Sequence, residues 1–163
     1  MENYIVIGGK KAELTEEQLK KLGIEPKRKN PFDRVEKGEL YWYVNDWLKP
    51  RSLTEVGGSS DQSLFEAFNY FGDEEFAKQV VLHELLNRKL LKYAYDNEAE
   101  DGEWDGERKH YFIYRQVVGR CFDVSNVINF KRQEVYFSKR EIAKQAIEDV
   151  VKPFMAKRPE FVW

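Results

Sequence analysis

Tyr70-Phe71-Gly72-Asp73-Glu74-Glu75-Phe76-Ala77-Lys78-Gln79-Val80-Val81 aligns with Tyr136-Phe137-Ser138-Lys139-Arg140-Glu141-Ile142-Ala143-Lys144-Gln145-Ala146-Ile147, and this pairing decides the fold. Six of the twelve pairs are identical, and Phe76/Ile142 and Val81/Ile147 keep apolar character. Gly72 and Ser138 fall at an expected helix N-cap, with Glu75 and Glu141 three residues on to complete a capping box. Each stretch follows an aromatic strand, Tyr41 to Val44 in one case and Tyr111 to Tyr114 in the other. Two copies are too few for a solenoid. They predict an α+β fold with a duplicated β-β-(β)-α unit, its antiparallel sheet packed against two helices.

Outward from the first copy, Phe76, Ala77, Val80, Val81, Leu85, Leu86, Leu90 and Ala94 recur at three- and four-residue spacing, which predicts a helix from about Asp73 to about Tyr95. Leu40 to Val44 and Ser52 to Val56 read as paired strands, with Gly57-Gly58-Ser59-Ser60 as a flexible connection. In the second copy Cys121 to Val124 returns as the next strand. The second helix is expected to end near Val151, because Pro153 cannot continue it. Phe154, Phe161 and Trp163 predict a docked tail.

The chain start adds a small ββα unit. Tyr4 to Ile7 and Lys10 to Leu14 flank a Gly8-Gly9 turn, Thr15 and Gln18 form a capping box, and Gly23 stops the helix. The predicted layout is therefore this unit over 1–24, a basic, Pro-punctuated linker over 25–31, one repeat unit over 32–95, an acidic loop over 96–108 and a second repeat unit over 109–163.

The chain has 163 residues, 42% of them hydrophobic and 15% aromatic, enough for a proper core. With 27 basic and 29 acidic residues its net charge is −2, so its overall field does not draw it to nucleic acid or an anionic membrane. Apolar runs are too short to span a bilayer, the first residues lack a secretion signal, and a single cysteine, Cys121, excludes an internal disulfide. A cytoplasmic protein is expected.

No catalytic signature emerges, and no cofactor or metal is expected. His83-Glu84 begins like a zinc-protease helix, but Asn87 stands where the second histidine belongs. Gly57 to Ser60 lacks the lysine of a phosphate loop, and Cys121 reads as a small buried strand residue. Asp96, Glu98, Glu100 and Glu107 partly follow calcium-loop spacing, but Asp101 occupies the position that needs glycine. A solvated acidic loop is the better reading. Trp104, flanked there by Asp101, Glu103 and Asp105, is a candidate anchor for a basic partner surface. Strand alternation offers a second candidate face, carrying Tyr41, Tyr43, Tyr111 and Arg115, either open or covered. Lys27-Arg28-Lys29 is a possible phosphate contact or a solvated linker.

Glu13 to Ile24, Asn30 to Tyr43, Asn69-Tyr70-Phe71, Leu90 to Ala94, and Pro153-Phe154-Met155 through Phe161-Val162-Trp163 together resemble small uncharacterised proteins of phages and prophages of Firmicutes, over nearly the whole chain. The resemblance carries no catalytic residues across. It implies an accessory protein in an infected or lysogenic bacterial host, a setting in which small proteins often block host defence.

The leading expectation is a non-enzymatic, anti-CRISPR-like inhibitor of a bacterial defence protein, with Asp101, Glu103, Trp104 and Asp105 imitating phosphates toward a basic groove. One alternative is a sponge for signalling nucleotides, using the aromatic strand residues and Arg115. Another is a nucleic-acid-binding module using those aromatics and the basic linker. An exposed aromatic face would also favour a homodimer.

Overall fold

The computed structural model describes residues 4–7, 9–22, 30–97, 104–119, 121–132 and 134–163. Local sequence dictates the first unit. β1 (Tyr4–Ile7) and β2 (Lys10–Glu13) pair antiparallel around a turn in which Gly9 has φ +80°, a conformation suited to glycine. α1 (Glu16–Lys21) follows with the expected capping box. Gln18 Oε1 accepts from the Thr15 N–H at 2.8 Å, and Thr15 Oγ1 accepts from the Gln18 N–H at 3.3 Å.

Two further hairpins organise the rest: β3 (Leu40–Val44) with β4 (Pro50–Thr54), and β5 (His110–Arg115) with β6 (Phe122–Val127). In each, the first strand gains one bridge on its outer edge. Trp42 and Phe71 exchange two backbone hydrogen bonds, both 2.8 Å, while Tyr111 and Phe137 exchange two of 2.9 and 2.8 Å. A helix follows each bridge, α3 (Glu74–Asp96) after Phe71 and α4 (Arg140–Ala146) after Phe137. The architecture is α+β, with short antiparallel hairpins against helices.

The helices begin one residue later than Gly72 and Ser138 suggest. Asp73 caps α3, its carboxylate accepting from the Phe76 N–H at 2.6 Å, whereas Lys139 stands at the second N-cap without a side-chain bond. Gly72 serves close packing instead. Its N–H donates to the Pro31 carbonyl at 2.8 Å, and a Cβ there would meet Val35 at 3.3 Å. Asn30 and Pro31, the end of the expected linker, therefore belong to the body.

The last helix does not stop at Val151. It widens into a π turn over Ile147–Val151 and continues as α5 (Lys152–Lys157). The Lys152 N–H reaches back five residues to the Ile147 carbonyl. The backbone register thus shifts just before Pro153, and the proline falls in the first turn of α5, where its missing N–H is tolerated.

α3 packs Leu82, Leu86, Leu90 and Ala94 in one cluster with Ala143, Ala146, Ile147, Val151 and Phe154 of the final helix. Ala143 and Ala146 are wholly buried, and their size lets the helices approach closely. Phe137, Val124 and Phe161 complete this cluster. The tail is docked as expected. Gln79 clamps it, donating to the Glu160 carbonyl at 2.8 Å and accepting from the Val162 N–H at 3.0 Å.

The two bridges also set which strand residues correspond. Trp42 occupies the place of Tyr111, so Tyr41 matches His110 rather than Tyr111. A slip of one residue exchanges the faces of a strand. Tyr111 and Ile113 pack toward the helix cluster, and Arg115 alternates onto the same side. Phe112 and Tyr114 pack with Trp104 and Tyr136 on the other. The shared open face expected for Tyr41, Tyr43, Tyr111 and Arg115 is therefore not assembled. Tyr41 is fully buried, because α2 (Ser59–Glu66), starting within the stretch read as a flexible connection, covers it.

Candidate functional site

α2 is fixed to the β3–β4 hairpin by a buried polar network. The Arg34 guanidinium grips Glu55 with two bonds, Nε–Oε2 at 2.9 Å and Nη2–Oε1 at 3.1 Å, and reaches Gln62 of α2 at 2.8 Å. The Tyr70 hydroxyl donates to Glu55, and the Tyr41 hydroxyl to Asp61, both at 2.8 Å. The two tyrosine rings stack with centroids 4.0 Å apart. Asp61 also accepts from the backbone N–H groups of Val56 (3.0 Å) and Gly58 (2.9 Å), which ties the start of α2 to the end of β4.

The electrostatics of this network are those of a lock. Backbone donation from Gly58, with the Tyr41 hydroxyl, holds the Asp61 carboxyl down at about 2. Arg34 is the main cause lowering Glu55, despite its burial. Burial first, then carboxylate bonding, raises Tyr41 and pushes Tyr70 up to about 12. Neither carboxyl is poised to donate a proton near neutral pH, and neither tyrosine to accept one.

The exposed residues of this unit lie at the turn that joins β3 to β4. Asn45 starts its turn: the side-chain oxygen accepts from the N–H groups of Trp47 (3.1 Å) and Lys49 (3.0 Å), and the Asn45 N–H donates to the Lys49 carbonyl at 3.1 Å. Leu48 takes the left-handed position of this turn with φ +51°, where glycine is usual. Trp47 is 78% exposed.

The end of α2 repeats the device. The Phe68 N–H donates to the Phe65 carbonyl at 3.1 Å, and the Asn69 N–H to the Leu64 carbonyl at 3.0 Å, the two bonds of a Schellman cap. Its left-handed residue is Phe68, with φ +54° and 76% exposure, where glycine would normally sit. The Asn69 side chain then brackets Val44, accepting from its N–H at 2.7 Å and donating to its carbonyl at 2.8 Å. This bracket brings Phe68 to the hairpin end that carries Trp47. Each left-handed side chain costs about 1–2 kcal/mol, and at Phe68 little burial offsets it.

Among the described residues, those expected to bind partners do not form one site. Trp104 is not an outward anchor: its ring stacks on buried His110 at 3.7 Å and lies edge-on to Tyr136 at 5.1 Å. It closes one face of the β5–β6 hairpin much as α2 closes one face of β3–β4. Asp105 is engaged locally, accepting from the N–H groups of Glu107 (2.9 Å) and Arg108 (3.0 Å). Asp101, Glu103 and the Lys27-Arg28-Lys29 run lie outside the described residues. Tyr43 is half-buried, and Arg115 lines a cleft with His83 and Trp163. Cys121, expected to be buried, is exposed. Among the described residues no group of three or more His, Cys, Asp or Glu side chains could hold a metal ion, and no helix is long and apolar enough to cross a membrane.

No protein-family model, no curated protein and no solved structure matches this chain. The sequence reading missed Leu48 and Phe68. Their signal is conformational, and the chemistry of the residues gives no sign of it.

Proposed function

We propose that this chain is a non-catalytic binding protein that docks on a protein partner through Trp47, Leu48 and Phe68. The observation that carries the reading is Phe68, a large apolar side chain held in solvent by a left-handed backbone, next in sequence to the Asn69 that clamps Val44 three residues before the exposed Trp47. Strain that the fold does not recover by burial is a mark of a functional position. Aromatic anchors dominate interface energies, and a site fixed by side-chain clamps loses little entropy on binding. From the phage resemblance we take the class of partner, a bacterial host defence component, and the action, inhibition. The contact moves from the acidic loop to the hairpin end.

The test is differential capture from a bacterial lysate containing defence systems, comparing the native chain with Trp47→Ser/Phe68→Ser. Both side chains are exposed, so the variant keeps its fold by circular dichroism. The reading expects one stoichiometric protein, retained by the native chain and lost by the variant. Retention by both would rule out this face.

We also read the two hairpin–bridge–helix units as copies of one ancestral unit. The equivalent Trp42–Phe71 and Tyr111–Phe137 bridges support this, together with the six identities in twelve positions that follow them.

A further inference from the structure

The geometry points to a binding site for a small phosphorylated molecule in the groove between α3 and the π turn with α5, away from the hairpin end. The groove encloses about 380 Å³ and is lined by Lys89, Lys92, Lys157 and Arg158, with Asp96 and Asp149 as its acidic groups. Four cations against two carboxylates leave it with a surplus of +2, whereas the whole chain carries −2. The carboxylates are already engaged. Asp96 pairs with Lys92, and Asp149 accepts from the Tyr93 hydroxyl at 2.8 Å.

Lys89, Lys157 and Arg158 have no carboxylate partner among the described residues. Arg158 is the most telling of them. Its guanidinium lies over the Phe154 ring at 5.2 Å, yet its Nε is buried without an acceptor. Buried donors are nearly always satisfied, so an unmatched arginine donor in a cationic groove calls for an anion. A third observation is independent of charge. The π turn supplies Asp149 and Val150 to the wall, and such turns recur at functional sites. The volume suits a ligand of nucleotide size, with an apolar wall at Val150, Pro153 and Phe154 for its non-phosphate part.

The experiment uses the full chain. Pyrophosphate and adenosine monophosphate are titrated at fixed ionic strength, with sodium chloride as the matched control, and followed by phosphorus NMR line broadening and thermal shift. The native chain should show saturable binding at one site. Lys89→Gln/Lys157→Gln, both exposed positions, should weaken it by about tenfold or more with an unchanged melting temperature in the absence of ligand. Arg158→Gln should abolish it, and the lysine pair decides the matter alone if that variant unfolds. No response beyond the chloride control would overturn the proposal. So would equal binding by the lysine variant.

Discussion

Comparing Phe68→Gly with Phe68→Ala isolates the backbone at the end of α2. Both variants remove the ring, so lost side-chain contacts cancel between them. What remains is a Cβ at φ +54°. That Cβ costs about 1–2 kcal/mol in the left-handed region. Glycine gives back about 0.5–1 kcal/mol through the larger freedom of its unfolded chain. The glycine variant should therefore be the more stable by about 0.5–1 kcal/mol. At an ordinary negative φ the order reverses, with alanine ahead by about 0.5–1 kcal/mol. Urea unfolding with equal m-values reads the difference directly, and thermal unfolding should separate the pair by about 1–4 °C for a chain of this length. Alanine equal to or more stable than glycine would mean that Phe68 carries no strain. In the capture experiment both variants should lose the partner, which separates the role of the ring from that of the backbone.

Tyr41→Phe keeps the stacked ring but removes the hydroxyl that donates to buried Asp61, and should cost about 2 kcal/mol by urea unfolding. A cost near zero would mean that Asp61 is satisfied without it. Asp61 and Glu55 have lowered folded-state values, so they add stability above the ordinary carboxylate range that is lost as pH falls toward about 2. Melting temperature should drop between about pH 4 and pH 2, and Glu55→Gln/Asp61→Asn should flatten that drop while lowering stability at pH 6. Leu86→Ala, in the centre of the helix cluster, should cost about 2–5 kcal/mol. Acrylamide should quench Trp47 far more readily than Trp104, so Trp47→Phe should leave an emission that is bluer and harder to quench.

Local chemistry was legible wherever it acts within a few residues. Thr15 and Gln18 announced their capping box, and the apolar spacing from Phe76 to Ala94 announced α3. The alignment around Tyr70 and Tyr136 located both helix starts to within one residue. Long-range register was harder to read. Four consecutive aromatic or β-branched residues, Tyr41 to Val44, look similar on both faces of a strand, and only the bridge from Trp42 to Phe71 decides which one turns inward. α2 escaped because Gly57 to Ser60 are poor helix formers; Asp61 caps it locally through the Gly58 N–H, but Tyr41 and Arg34, which hold it in place, are distant in sequence. The hairpin-end site was illegible because Leu48 and Phe68 occupy a conformation that glycine or asparagine would have advertised.

The π turn at Ile147–Val151 can also be treated as a matter of angular phase. Each residue of an α-helix advances about 100° around the axis, so one surplus residue resets every position downstream by that angle. Deleting Val150 would restore regular winding and swing Phe154 about a quarter-turn out of the core and away from Phe161, 5.3 Å from it between ring centres. Lys157 and Arg158 would rotate with it. The last helix therefore behaves as a dial with a single working setting, and a one-residue deletion there should do more damage than most substitutions of the residues it moves.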